Sequence, residues 1–103
     1  MHVIRLHDIS FDANKIGEAC RRAGVVRVYV FGSILTDRFR PDSDIDLLVE
    51  TDARHPVGLF ALGGLQIELS EILGRNVHLT MLGGVPLGER DGVLAKARLL
   101  DAA

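Results

Sequence analysis

Apolar positions repeat along this chain with two different periods. From Asp12 to Ala23 they fall at Ala13, Ile16, Cys20 and Ala23, the spacing of one helical face. Ser10 or Asp12 is placed to cap that helix, and Gly24 stands where a left-handed terminator belongs. The next run, "VVRVYVF" (Val25 to Phe31), is β-branched and aromatic and predicts a strand. Gly32 to Ser43 is polar, contains Pro41 and predicts a turn with at most one helical turn. "DIDLLVE" (Asp44 to Glu50) predicts a second strand, with Ile45, Leu47 and Val49 on one face and Asp44, Asp46 and Leu48 on the other. A helix over Val57 to Leu73 follows from the stripe Leu62, Leu65, Leu69 and Ile72, ended by Gly74. The interior Gly63 and Gly64 each weaken it by about 1 kcal/mol relative to Ala. "NVHLT" (Asn76 to Thr80) predicts a third strand with Val77 and Leu79 inward, and a Gly-rich linker through Gly83, Gly84, Pro86 and Gly88 leads to a terminal helix around Val93 to Leu100. Met1 to Ile9 is too mixed to assign, and "HVIRL" is either a short edge strand or a docked extension. Strands alternating with helices indicate an α/β layered fold.

Composition narrows the class of function. A length of 103 residues predicts a single domain, 1–103, with one modest core. A hydrophobic content of 48% with 25% charged residues is an ordinary globular balance. The formal net charge of −2 argues against direct binding of DNA or RNA. Cys20 is the single cysteine, so no internal disulfide can form, and a reducing cytoplasm is the expected compartment. No apolar run reaches membrane-spanning length, and no signal peptide is expected at the N-terminus.

The chemistry concentrates between Gly32 and Asp46. A side-chain period of two puts Asp44 and Asp46 on one strand face, with Cβ atoms roughly 6 to 7 Å apart. Two such carboxylates repel, and one pKa rises unless a cation intervenes. A hard divalent ion such as Mg²⁺ resolves the conflict, since it favours carboxylate oxygens and takes waters and phosphates as its other ligands. Alone, a D-x-D pair reads better as two solvated surface acids than as a metal site. The pair "GS" changes that balance: Gly32 lets the backbone turn sharply after a strand and approach a ligand closely, and Ser33 adds a hydroxyl beside N–H groups that suit a phosphate. Phosphate-binding atoms at one strand end and carboxylates on the next outline a nucleoside triphosphate site.

Gly32-Ser33, ten intervening residues and then Asp44-Ile45-Asp46 resemble the signature of the DNA polymerase β nucleotidyltransferase superfamily. "RPDSDIDLLVE" and "ELSEILGRNV" are similar to its minimal nucleotidyltransferases. The resemblance implies a small mixed β-sheet flanked by helices, and Mg²⁺- or Mn²⁺-dependent transfer of AMP from ATP to an acceptor hydroxyl. It also implies an antitoxin whose partner is a helical HEPN-type protein encoded nearby. By the same resemblance Gly32 and Ser33 hold the triphosphate, and Asp44 and Asp46 are both catalytic and metal-binding. Two departures stand out. The loop after Gly-Ser lacks the usual arginine and glycine, leaving Arg40 or Arg38 to contact phosphate. His78 occupies the position of the family's third carboxylate. Imidazole is a poor Mg²⁺ ligand but an adequate general base near neutral pH. The expectation is therefore an enzyme with His78 as base; a weakened nucleotidyltransferase-fold module that neutralises its partner by occlusion is the alternative. The C-terminal segment "GVLAKARLLDAA" is expected to be amphipathic and to offer the partner an apolar surface.

Overall fold

The computed structural model describes residues 2–103. In chain order it contains β1 (Val3–Leu6), β2 (Ile9–Asp12), α1 (Ala13–Ala23), β3 (Val25–Phe31), β4 (Ile45–Thr51), α2 (Leu59–Leu73), β5 (Val77–Met81), α3 (Leu87–Ala95) and β6 (Arg98–Ala102). Two 3₁₀ turns, Gly32–Leu35 and Leu82–Gly84, follow β3 and β5. A four-stranded sheet of order β5-β4-β3-β6 forms the centre, and β1 and β2 pair separately as a hairpin. The sheet is mixed: β4 runs antiparallel to β3 and parallel to β5, and β6 runs antiparallel to β3.

Local chemistry explains the element ends. The Asp12 carboxylate accepts the N–H groups of Asn14 and Lys15 and starts α1, so Asp12, not Ser10, is the cap. Gly24 and Gly74 close α1 and α2 in the left-handed conformation. Both helices pack on one face of the sheet, where Ile16, Cys20, Leu65 and Leu69 meet Val28, Val30, Ile45, Leu47 and Val49. Burial pushes the Cys20 thiol up to about 12, which leaves it protonated and unreactive. The other face is where Asp46 lies. There Leu48 is also fully buried, and the turn Leu82–Gly84 closes over β4. Among the described residues no helix is long and apolar enough to cross a membrane.

The two ends of the chain fare differently against the sequence pattern. Val3–Asp12 forms a hairpin, so "VIRL" is a short strand, the first of the two readings, while Met1 lies outside the described residues. The terminal helix expected over Val93 to Leu100 is corrected: α3 starts earlier, within the supposed Gly-rich linker, and ends at Ala95, after which Arg98–Ala102 becomes a sheet strand. The helical pattern loses because β3 has an open edge, and ladder hydrogen bonds there outweigh a weak helical preference. The pairing skips Leu100, as a bulge does: Val28 opposes Asp101 and Tyr29 opposes Leu99. Leu100 thereby enters the core, and the Asp101 carboxylate reaches α1, where Arg21 binds it at 2.9 Å. It lies so near Gly17 that a Cβ there would sit 2.5 Å from its oxygen. Among the described residues, three of the six exposed large apolar side chains, Leu59, Phe60 and Ile67, lie on α2 rather than on an amphipathic C-terminal helix.

Strand geometry at β6 separates two adjacent leucines. Leu100→Ala should cost about 2–4 kcal/mol in denaturant unfolding, whereas Leu99→Ala, nearly half exposed, should cost less than about 1 kcal/mol. Equal losses would contradict the strand.

Candidate functional site

The site is assembled by register. Phe31, the last residue of β3, opposes Asp46 on β4, and Asp46 in turn aligns with His78 on β5. The turn at Gly32 therefore falls beside the Asp46 carboxylate. Gly32 has a φ of 85°, a left-handed conformation, and a Cβ built on it would lie 2.5 Å from Asp46 Oδ2. Glycine is required here twice over, by backbone conformation and by the carboxylate packed against it. On the other side His78 Nδ1 stands 3.7 Å from Asp46 Oδ1, close but too far for a hydrogen bond. Asp44 precedes β4 and is exposed.

Electrostatics single out Asp46. Its carboxyl is held above the ordinary carboxylate range, first by burial and also by the like charge of Asp44, with His78 pulling the other way. A cation between the two carboxylates would oppose both causes of the rise, and their oxygen donors suit a hard divalent ion. Among the described residues no three His, Cys, Asp or Glu side chains form a ready-made metal cage. A cation held there would have two carboxylates from the chain and would take its remaining coordination from waters and ligand oxygens.

Next to the turn lies a largely apolar cleft of about 670 Å³. Gly32, Ser33, Thr36 and Arg38 form one side, and Val93 and Lys96, from the end of α3, form the other. Its two cations, beside a Gly-Ser turn, suit a polyanion. Lys96 was invisible to sequence reasoning: it stands over sixty residues away from the turn, and no local pattern marks it. Arg38, named with Arg40 as a candidate, borders this cleft. Arg40 does not; it lines a smaller cleft with His7 and Phe39, and its backbone N–H donates to Ser43 Oγ. Gly32, Ser33, Asp44, Asp46 and His78 are thus gathered about one end of β3 and β4, and Arg40 stands apart.

Comparison with known proteins bears on this geometry. Residues 13–100 match the family model described as a nucleotidyltransferase domain. No curated protein matches the sequence. Among solved structures, one assigned as a minimal nucleotidyltransferase is similar at 34% identity and a TM-score of 0.71, over 82% of this chain and 85% of that one. A chain from a toxin–antitoxin structure with AMP-PNP is similar at 23% identity and a TM-score of 0.70, over 90% of this chain and 75% of that one. A chain from the complex of a tri-AMPylated Shewanella oneidensis HEPN toxin with its MNT antitoxin is similar at 22% identity and a TM-score of 0.62, over 88% of this chain and 70% of that one. The last two likenesses establish the fold, which is the small mixed sheet with flanking helices that the sequence implied.

Because the folded state raises the Asp46 pKa, ionisation of this group works against folding. Its favourable contribution is complete below the ordinary carboxylate range and is lost as the pH climbs through the raised value. In metal-free buffer at neutral pH, Asp46→Asn should raise the thermal midpoint by about a degree or two, and the gain should vanish near about pH 3. Gly32→Ala should lower stability by about 1–3 kcal/mol, measured in denaturant.

Proposed function

Since the chain belongs to the nucleotidyltransferase domain family, we propose that it transfers AMP from ATP to a hydroxyl of a helical HEPN-type partner protein, as the antitoxin of a toxin–antitoxin pair. The observation that carries this reading is the packing of the Gly32 turn against Asp46, which puts a phosphate-sized approach and a carboxylate side by side. The two toxin–antitoxin relatives described above support the partner. The exposed Leu59, Phe60 and Ile67 are apolar surface available to it.

In this reading Gly32 lets the triphosphate come close to the backbone, and the hydroxyl of Ser33 donates to a phosphate oxygen. Arg38 and Lys96 lower the cost of bringing a polyanion into the cleft. Asp44 and Asp46 would hold a divalent ion, Mg²⁺ or Mn²⁺, which would offset phosphate charge and make the attacking hydroxyl more acidic. The acceptor oxygen bonds to the α-phosphorus, the bond from that phosphorus to the β-phosphate oxygen breaks, and pyrophosphate leaves. His78, beside Asp46, takes the proton of the acceptor hydroxyl. Catalysis in such transfers rests on positioning and charge, which is what a shared register of three strands supplies.

His78 also favours the second reading. An imidazole adds no negative charge for a second ion, so the protein would bind nucleotide and partner and act by occlusion.

Incubation with ATP labelled at the α-phosphate, divalent ion and the partner is the test. Label should pass to the partner, and Asp44→Asn with Asp46→Asn should reduce transfer at least about a hundredfold. His78→Asp should raise the rate with Mg²⁺, and His78→Ala should lower it. Nucleotide and partner binding without transfer would support occlusion. A parent that binds neither ATP nor partner would refute both readings.

A further inference from the structure

Asp44 depends on a segment without regular structure. Residues 36–44 join the Gly-Ser turn to β4 and contain neither helix nor strand, and β4 begins only at Ile45. Some order is internal: Thr36 N–H and Oγ1 both donate to the Ser33 carbonyl, and Ser43 N–H donates to the Arg40 carbonyl. Arg38 N–H also donates to Thr36 Oγ1 and Arg40 N–H to Ser43 Oγ, and further hydrogen bonds come from two side chains that lie outside the segment and are distant from it in sequence.

His7 holds the near end. It occupies the tip of the β1–β2 hairpin with a φ of 54°, a conformation uncommon for a residue with a side chain. Its Nε2 lies 2.9 Å from the carbonyl of Ile34 and 3.1 Å from that of Thr36. Carbonyls only accept, so Nε2 carries the proton and shares it between them. Arg75 holds the far end. One nitrogen of its guanidinium, Nη2, donates to the carbonyls of Arg40 at 3.1 Å and of Ser43 at 2.5 Å, the second being the peptide that leads into Asp44. Phe39, in the middle, joins the two: Arg75 lies over its ring at 4.7 Å, and the His7 ring is 5.0 Å away. One aromatic residue of the segment is thus held between a hairpin tip and the α2–β5 junction, and four of the carbonyls around it are fixed.

We propose that His7 and Arg75 are positioning residues: together they order residues 36–44 and set the separation between the phosphate turn and Asp44. The proposal rests on the nucleotide-transfer reading for its consequence, but the order itself is measurable without nucleotide. Neither residue reaches the reacting atoms. Both act through backbone carbonyls, so what matters is a correctly placed N–H donor.

The test combines amide hydrogen exchange in the ligand-free protein with titration of Mn²⁺-ATP into the parent, Arg75→Ala, Arg75→Lys, His7→Ala and His7→Gln. Arg75→Ala and His7→Ala should speed exchange in residues 36–44 about tenfold while β3 and β4 keep parental rates, and each should weaken Mn²⁺-ATP about tenfold. His7→Gln, which restores a donor, should recover most of both effects. Arg75→Lys, which keeps the charge but loses the planar donor, should recover only part. Parental exchange in both alanine variants would overturn the proposal, as would faster exchange with unchanged Mn²⁺-ATP affinity. A parent that binds no Mn²⁺-ATP would refute the nucleotide reading, and the exchange rates would still decide whether the two side chains order the segment.

Discussion

A carboxylate oxygen occupies the space where any residue but glycine would put its Cβ. The contact between Asp46 Oδ2 and the Gly32 backbone is the constraint on which the site depends. It locks the end of β3 to the middle of the sheet and forces the left-handed turn to begin at Gly32. Partial burial there makes the negative charge costly, with Asp44 adding to the cost. A carboxylate held against its own charge in this way would gain most from a bound cation.

The parts around this contact are unequal in stability. β3 and β4 contribute Val28, Val30, Ile45, Leu47, Leu48 and Val49, all essentially inaccessible, so the floor of the site is as secure as the core. The cleft wall opposite the turn is different. α3, which brings Val93 and Lys96 to the cleft, buries no residue. Its start is tied by Arg90, which donates to the carbonyls of Val85 and Gly83. Segments with few buried apolar contacts open at low free energy, so the fold joins a rigid chemical centre to a wall that can yield to a ligand.

His78 shows why sequence position and chemical role must be separated. The parallel pairing of β4 and β5 delivers whatever residue stands at 78 to the side of Asp46. Here that residue is an exposed imidazole close to, but not hydrogen-bonded with, the carboxylate. Geometry suits it to accept a proton, while its donor chemistry suits it poorly to a hard cation. In the proposed function, the residue at this one point in the sheet decides between transfer and nucleotide binding alone.

The sequence alone determined the elements whose signal is local: α1, β3, β4, α2 and β5 follow from apolar period, caps and terminators that act over a few residues. It also identified Gly32, Ser33, Asp44, Asp46 and His78 as candidates, because their spacing resembles a familiar pattern. What it could not determine depends on partners far along the chain. "RLLDA" reads as the end of a helix until the open edge of β3 is available to pair with it. Lys96 is an unremarkable cation until α3 carries it to the cleft. His7 and Arg75 join only because a hairpin tip and a helix end both reach Phe39. Local propensity is a weak preference that long-range pairing overrides, and only the folded chain brings together groups whose separation in sequence carries no trace of their contact.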